Sequence, residues 1–479
     1  MHLIDLVIFV VYMMAMLGVG YFFMKKNTDQ EDYYVGGRSI GSWHIGLSVV
    51  ATDVGGGFSI GLGGLGFVMG LSGSWMLFTG LLGAWLAAVI LIPRVKSDPA
   101  FAKFFTFPQI IGHLFNSVAA KVAALICFLG YLGFASSQLL AGAKLASGTF
   151  EALDLHVALM IMGAIAVIYT VMGGLKAVIY TDTIQWIILM AGLMFIGIPI
   201  SYNYVGGWDG IHSTLPQEFF SFTNLTWQDF INWGITIIPI WFVGMTLYQR
   251  IFASRDVQSA KKAWFIAGLF EWPIMAMLGV SLGLLSRVAV EQGALEGFTT
   301  AMDPEMGLPV LLSQILPAGI LGLMMSAYFS AVLSTADSCL MAASGNLTTD
   351  LLGNFFRGKS LKQEMRISQL LTLGIGVVAI IIAWQMTEVL SLMLYSYAFM
   401  VSGLLVPVIA GLFFNQRNPK AAVASMIAGG SLTAGLSIFE VLLPFGLDAN
   451  LFGLLLSLIT FISVIFVNKN TIQSEKRYD

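Results

Sequence analysis

Ala51-Thr52-Asp53-Val54-Gly55-Gly56-Gly57-Phe58 lies in the middle of an apolar stretch that runs from about His44 to Gly70. Consecutive glycines weaken a helix, and within a bilayer a broken helix frees carbonyls and N–H groups that hydrocarbon cannot satisfy. The run therefore predicts a backbone that lines a polar cavity at mid-membrane depth. A second apolar stretch, about Ile231 to Leu247, carries Pro239 and Gly244 and repeats the pattern five segments later. Two interrupted segments in corresponding positions point to a solute site between them, as in secondary transporters.

Composition places the rest of the chain in the membrane too: 57% of the 479 residues are hydrophobic and 10% are charged, and the mean hydropathy is +0.85. A soluble domain does not read this way. About thirteen stretches are long enough to cross a hydrocarbon core of roughly 30 Å, which takes about 20 apolar residues each. They fall near 4–24, 44–70, 74–95, 118–146, 157–174, 179–204, 231–247, 263–286, 315–345, 367–384, 389–414, 421–443 and 451–467. The expectation is an all-α polytopic membrane protein forming one transmembrane transporter domain over 1–479.

Basic residues, among them Lys25, Lys26, Arg94, Lys121, Lys176, Arg250, Arg255, Arg417 and Lys420, fall in alternate connections. By the positive-inside rule those connections are cytoplasmic, which puts the N-terminus outside and the C-terminus inside a plasma or bacterial inner membrane. Lys144 and Arg287 land on the outer side, where Asp209, Glu218, Glu291 and Glu296 dominate. The first segment lacks a basic leader and is expected to be retained as a helix rather than removed as a signal. The net charge of -3 is the remainder of 23 basic and 26 acidic side chains and gives no ground for a nucleic-acid partner.

Cys127 and Cys339 both sit inside apolar segments, and the five histidines are scattered without the i, i+4 spacing of helical metal sites. Neither a disulfide framework nor a metalloenzyme is expected. What remains is a short set of ionisable groups inside apolar segments: Asp53, Asp182, Glu271 and Asp337. Each costs several kcal/mol at the bilayer centre unless paired, hydrated or ion-bound. Carboxylates without buried basic partners suggest cation binding.

In the ninth segment Ala331, Ser334, Thr335 and Ser338 stand at i, i+3, i+4 and i+7 and share one helical face. Two hydroxyls beside a backbone carbonyl supply the hard oxygens an alkali cation prefers, and carbonyls freed near Gly55 could complete the shell. Serine and threonine also bond back to the i-4 carbonyl in ordinary membrane helices, so spacing alone leaves both readings open.

Three longer motifs carry a resemblance: Tyr34-Val35-Gly36-Gly37-Arg38-Ser39-Ile40-Gly41, then Tyr169 to Val178 with Thr181-Asp182 and Gln185, and Ser334-Thr335-Ala336-Asp337-Ser338. Together they resemble the sodium/solute symporter family over nearly the whole chain. The resemblance implies two inverted five-helix repeats with broken first helices, about 43–204 and 230–414, with peripheral helices at 4–24, 421–443 and 451–467. It implies a main sodium site from the carbonyls of Ala51, Val54 and Ala331 and the hydroxyls of Ser334 and Thr335. A second sodium in some members implies Asp182, Ser334, Asp337 and Ser338 here, although Asp337 departs from the serine those members carry.

Ala51-Thr52-Asp53-Val54 and Ala141-Gly142-Ala143-Lys144-Leu145 are similar to the proline symporters, whereas Gly55-Gly56-Gly57 with Phe58 resembles the choline transporters. The candidate solute contacts are Asp53, Gly55, Gly56, Phe58, Gln138 and Trp241. The expected function is sodium-coupled import of a small organic solute by alternating access, with an amino acid such as proline or a quaternary amine as cargo. Sugars, carboxylates and vitamins are the alternatives within the family. A channel would need a continuous polar path or a ring of charge, and a solute sensor would need a signalling output. An enzyme is not expected, because Ser334 and Thr335 have no buried histidine to act as base.

Overall fold

The computed structural model describes residues 3–26, 38–150, 153–356 and 359–475. The Tyr34 to Gly37 part of the first motif lies outside the described residues. Among those described, β structure is confined to an isolated bridge between Ile40 and Ser254. The long helices are α1 (Leu3–Lys26), α2 (Ser42–Met69), α3 (Trp75–Leu86), α4 (Ser117–Thr149), α5 (Leu155–Gly192), α6 (Trp227–Val243) and α7 (Met245–Ala253). They continue as α8 (Val257–Phe270), α9 (Met277–Glu291), α10 (Ile320–Gly345), α11 (Leu361–Gln385), α12 (Val389–Phe413), α13 (Pro419–Ile438) and α14 (Ala449–Glu475).

Side chains at the helix starts explain several boundaries. Asn116 accepts from the Ala119 amide before α4, and Asp154 accepts from His156 and Val157 before α5. Thr226 with Asp229 and Ser360 with Gln363 form capping boxes ahead of α6 and α11. Each satisfies amides that have no partner in the first turn.

By length and apolarity ten helices can cross a bilayer among the described residues, or eleven when the bent pair α6–α7 is one span. The expectation of thirteen differs for two reasons. Residues 55–97 form a single continuous apolar stretch, and the apolar part of α1, Leu3–Val19, is shorter than a full span. The fifth and sixth expected segments remain two spans by apolarity, Leu155–Met172 and Thr181–Tyr204, although α5 runs on between them through 175–178.

Both expected breaks exist, with one correction. In α2 the ladder is interrupted at Gly55, whose φ of 38° and ψ of -163° lie outside the helical region. The second break is at Gly244, with φ -66° and ψ 116°, where the chain bends by 42°. Pro239 sits inside α6 without ending it. A proline forfeits one hydrogen bond, whereas an extended residue changes the direction of the chain.

Around these breaks α10 packs against α2, α4 and α5, while α2 packs on α8 and α9. The first helix, α1, is tied to α10 by side chains rather than by apolar contact alone. Asp5 accepts from the Gly319 and Gly322 amides at 2.6 and 2.9 Å, and Ser330 donates to the Tyr12 hydroxyl at 2.7 Å.

Candidate functional site

The hydroxyl face of α10 meets the break in α2. Thr335 Oγ1 lies 2.9 Å from the Ala51 carbonyl oxygen and 3.3 Å from that of Ala331. The ordinary i-4 back-bond and the cross-helix contact are thus made by the same hydroxyl. Ser334 is buried, and its Oγ faces Asp182 without a hydrogen bond of ordinary length among the described residues. Val54 contributes the residue immediately before the interruption at Gly55. A set of two carbonyls and two hydroxyls, one of them unsatisfied, suits a desolvated alkali cation.

Gln138 of α4 holds the other side of the break. Its Oε1 accepts from the Gly56 and Gly57 amides at 3.1 Å each. These are the first N–H groups of the resumed helix, where partial positive charge collects. Replacing Gln138 by leucine leaves both amides buried without an acceptor, at about 1–3 kcal/mol for each. Thermal unfolding of the Gln138→Leu protein is expected several degrees below wild type, and an unchanged midpoint would remove Gln138 from this role.

Asp53 is buried, accepts from the Tyr397 hydroxyl at 3.1 Å and has Glu271 beside it. Glu271 opens the π-helical turn Glu271–Ala276 and faces Gly80 of α3. Trp241 is fully buried, with its ring beside Gly83 of α3 and 6.5 Å from the Trp264 ring of α8. The Phe58 side chain lies outside the described residues.

The sequence placed Arg250 in a cytoplasmic connection and left Asp182 without a basic neighbour; the structure corrects both. Arg250 belongs to α7, is completely buried, and its Nη2 lies 3.6 Å from Asp182 Oδ2. Its Nε and Nη2 donate to Ser48 Oγ at 3.1 and 3.0 Å, and Nη2 also donates to Ser338 Oγ at 2.9 Å. Thr52 Oγ1 accepts from the same nitrogen. Ser48 in turn donates to Asp182 Oδ2 at 2.5 Å. Asp182 and Ser338 are therefore brought together, around a guanidinium that the chain itself supplies. Asp337 accepts from Thr170.

Sequence reasoning missed Arg250, Ser48 and Thr52. The available signal was Tyr248-Gln249-Arg250, a polar run within reach of the second break, in a helix too short to stand out by hydropathy. Lys144 is corrected likewise. It is buried rather than an outer-surface charge, and its Nζ lies 2.5 Å from both Asp303 Oδ2 and Glu305 Oε2. Glu305 also accepts from the Val389 and Leu390 amides at 3.0 Å each, which joins α4 to the start of α12.

This arrangement has relatives. The chain is 29% identical over 472 residues to the osmoregulated proline transporter OpuE of Bacillus subtilis, covering 94% of each. It is 29% identical over 441 residues to the high-affinity proline transporter PutP of the same organism, covering 88% of this chain and 91% of that one. Its fold is similar to that of a Na+-coupled sialic acid symporter solved in a substrate-bound outward-open state, with a TM-score of 0.77, 21% identity and 96% of each chain covered. The profile of the sodium:solute symporter family matches residues 33–429, and it is to that family of multi-pass, sodium-coupled membrane transporters that this chain belongs.

Proposed function

We propose that this symporter imports an amino acid such as proline, with a quaternary amine as the second solute class, and that its main sodium site is built from Ala51, Val54, Ala331, Ser334 and Thr335. The observation that carries the site is Thr335 Oγ1 at the Ala51 carbonyl beside the unsatisfied Ser334 hydroxyl. The proline transporters among the relatives support the solute. A zwitterion suits the breaks: Asp53 favours an ammonium group, and a carboxylate that displaces the Gln138 oxygen meets the Gly56 and Gly57 amides. Phe58 and Trp241 stay in the reading as candidate solute contacts.

Two inverted repeats, about 43–204 and 230–414, rock about this site, each opening on one of the interrupted helices. The N-terminus is external and the C-terminus cytoplasmic. Sodium moving inward supplies about 2.3 kcal/mol per 100 mV and about 1.4 kcal/mol per tenfold gradient. Coupling requires that the ion bind one conformation better than the other. A second sodium at Asp182, Ser334, Asp337 and Ser338 requires Arg250 to withdraw from Asp182.

The test is uptake of labelled proline into proteoliposomes under an imposed sodium gradient, with potassium as control. Ser334→Ala and Thr335→Ala are each expected to raise the sodium half-saturation at least about tenfold, near 1.4 kcal/mol. Unchanged sodium activation in both variants would reject the site. Gradient-driven uptake of choline but not of proline would reassign the solute and leave the sodium site standing.

A further inference from the structure

A cavity of about 440 Å³ lies away from the helix breaks, between α6, α12, the end of α13 and the segment that leads into α14. It sits at the end of the bundle where Glu305 caps α12. Its wall includes Trp233, Thr236, Tyr395, Glu440, Asp448 and Asn450, and among the described residues no lysine, arginine or histidine lines it. The volume falls within the range of small-molecule sites.

Asn450 is completely buried on this wall. Its Nδ2 donates to the Ile235 carbonyl at 2.8 Å and to Thr236 Oγ1 at 3.0 Å, while its Oδ1 has no partner. Asp448 is fixed at the rim by Asn232, whose Oδ1 accepts from the Asp448 amide at 3.0 Å and whose Nδ2 donates to the Gly446 carbonyl at 3.1 Å.

Glu440 follows the last turn of α13 with a φ of 46°, and the Val441 amide donates back to the Leu436 carbonyl at 3.1 Å. This is the left-handed position that closes a helix, where glycine or asparagine is favoured. A carboxylate there also meets the negative end of the helix dipole. Glutamate is thus disfavoured at this place on two counts, and helix stability does not account for it.

We propose that this cavity is a peripheral binding site for an organic ammonium ion, held by Glu440 and Asp448 against the rings of Trp233 and Tyr395, with the unpartnered Asn450 oxygen buried in the wall behind them. The acceptors are all anionic or neutral oxygens, and the two rings add cation–π attraction. The space and the aromatic wall suit an alkylated cation better than a bare metal ion, and the described residues contain no group of three or more His, Cys, Asp or Glu arranged to hold a metal. An occupant would brace α6, the first half of the second broken helix, against α12.

The experiment is calorimetric titration of choline, and of its neutral isostere 3,3-dimethyl-1-butanol, into the purified full chain. It is run in potassium buffer and again in sodium with saturating proline, so that the central site is either unprimed or filled. Choline is expected to bind under both conditions, at least about tenfold more tightly than the isostere. Glu440→Gln and Asp448→Asn are each expected to weaken it about fivefold or more. Glu440→Gly controls for folding, because it relieves the left-handed strain; its melting temperature is expected to rise while choline binding falls. Absence of choline heat in the wild type, equal binding of the isostere, or binding that survives all three substitutions overturns the site. Failure of sodium-driven uptake leaves this result untouched, since no transport is measured.

Discussion

Arg250→Met is expected to lower the stability of the protein by about 3–5 kcal/mol, the cost of leaving a buried charge without its partner. Asp182 is fully buried, its Oδ1 already lacks a hydrogen bond, and after the substitution its Oδ2 keeps the Ser48 hydroxyl alone. Ser48, Thr52 and Ser338 lose a donor at the same time. Asp182→Asn combined with Arg250→Met removes both charges at once. The double variant is therefore expected to recover most of the loss, because replacing a complete buried pair is far less costly than breaking it. Denaturant or thermal unfolding of all four proteins in one detergent measures the coupling. Losses that simply add would mean that the two side chains do not act as a pair.

Gly55→Ala is expected to abolish sodium-stimulated uptake, whereas Gly57→Ala is expected to leave a measurable part of it. At Gly55 the positive φ of 38° with ψ of -163° costs an L residue roughly 1–3 kcal/mol. An added Cβ would also collide with Thr335 Oγ1 and stand 2.9 Å from Gln138 Oε1. One methyl group thus pushes on the hydroxyl that reaches the Ala51 carbonyl and on the amide that holds the resumed helix. At Gly57 the obstacles are the Gln138 Nε2 at 2.6 Å and the Met393 Sδ at 3.1 Å, both near the ends of flexible side chains, and φ is not positive. Sodium titrations of proline uptake separate the two. Equal half-saturation in both variants would show that the interruption at Gly55 does not shape the ion site.

The main features of the fold were legible because they follow from solvent and period. Apolar runs marked the helices, three glycines marked the interruption in α2, and the i, i+4 spacing put Thr335 on the face that meets it. Pro239 misled because a proline is a stronger local signal than a glycine, yet Gly244 is the residue with extended dihedrals. Arg250 was hidden because α7 has nine residues and reads like the end of a span followed by loop charges. Gln138 could be named from its place in an apolar segment, but its acceptor role depends on which amides the broken helix turns toward it. Tyr397 and Asp53 are 344 residues apart in sequence, and no spacing rule connects them.

The first helix precedes the stretch matched by the family profile, yet it is not a bystander. With Asp5 seated on the opening amides of α10 and Ser330 anchored to Tyr12, it works as a splint along the rod that carries Ser334 and Thr335. Tension applied to α1, by a fused tag or a neighbouring protein, passes through these contacts to the helix that carries Ser334 and Thr335.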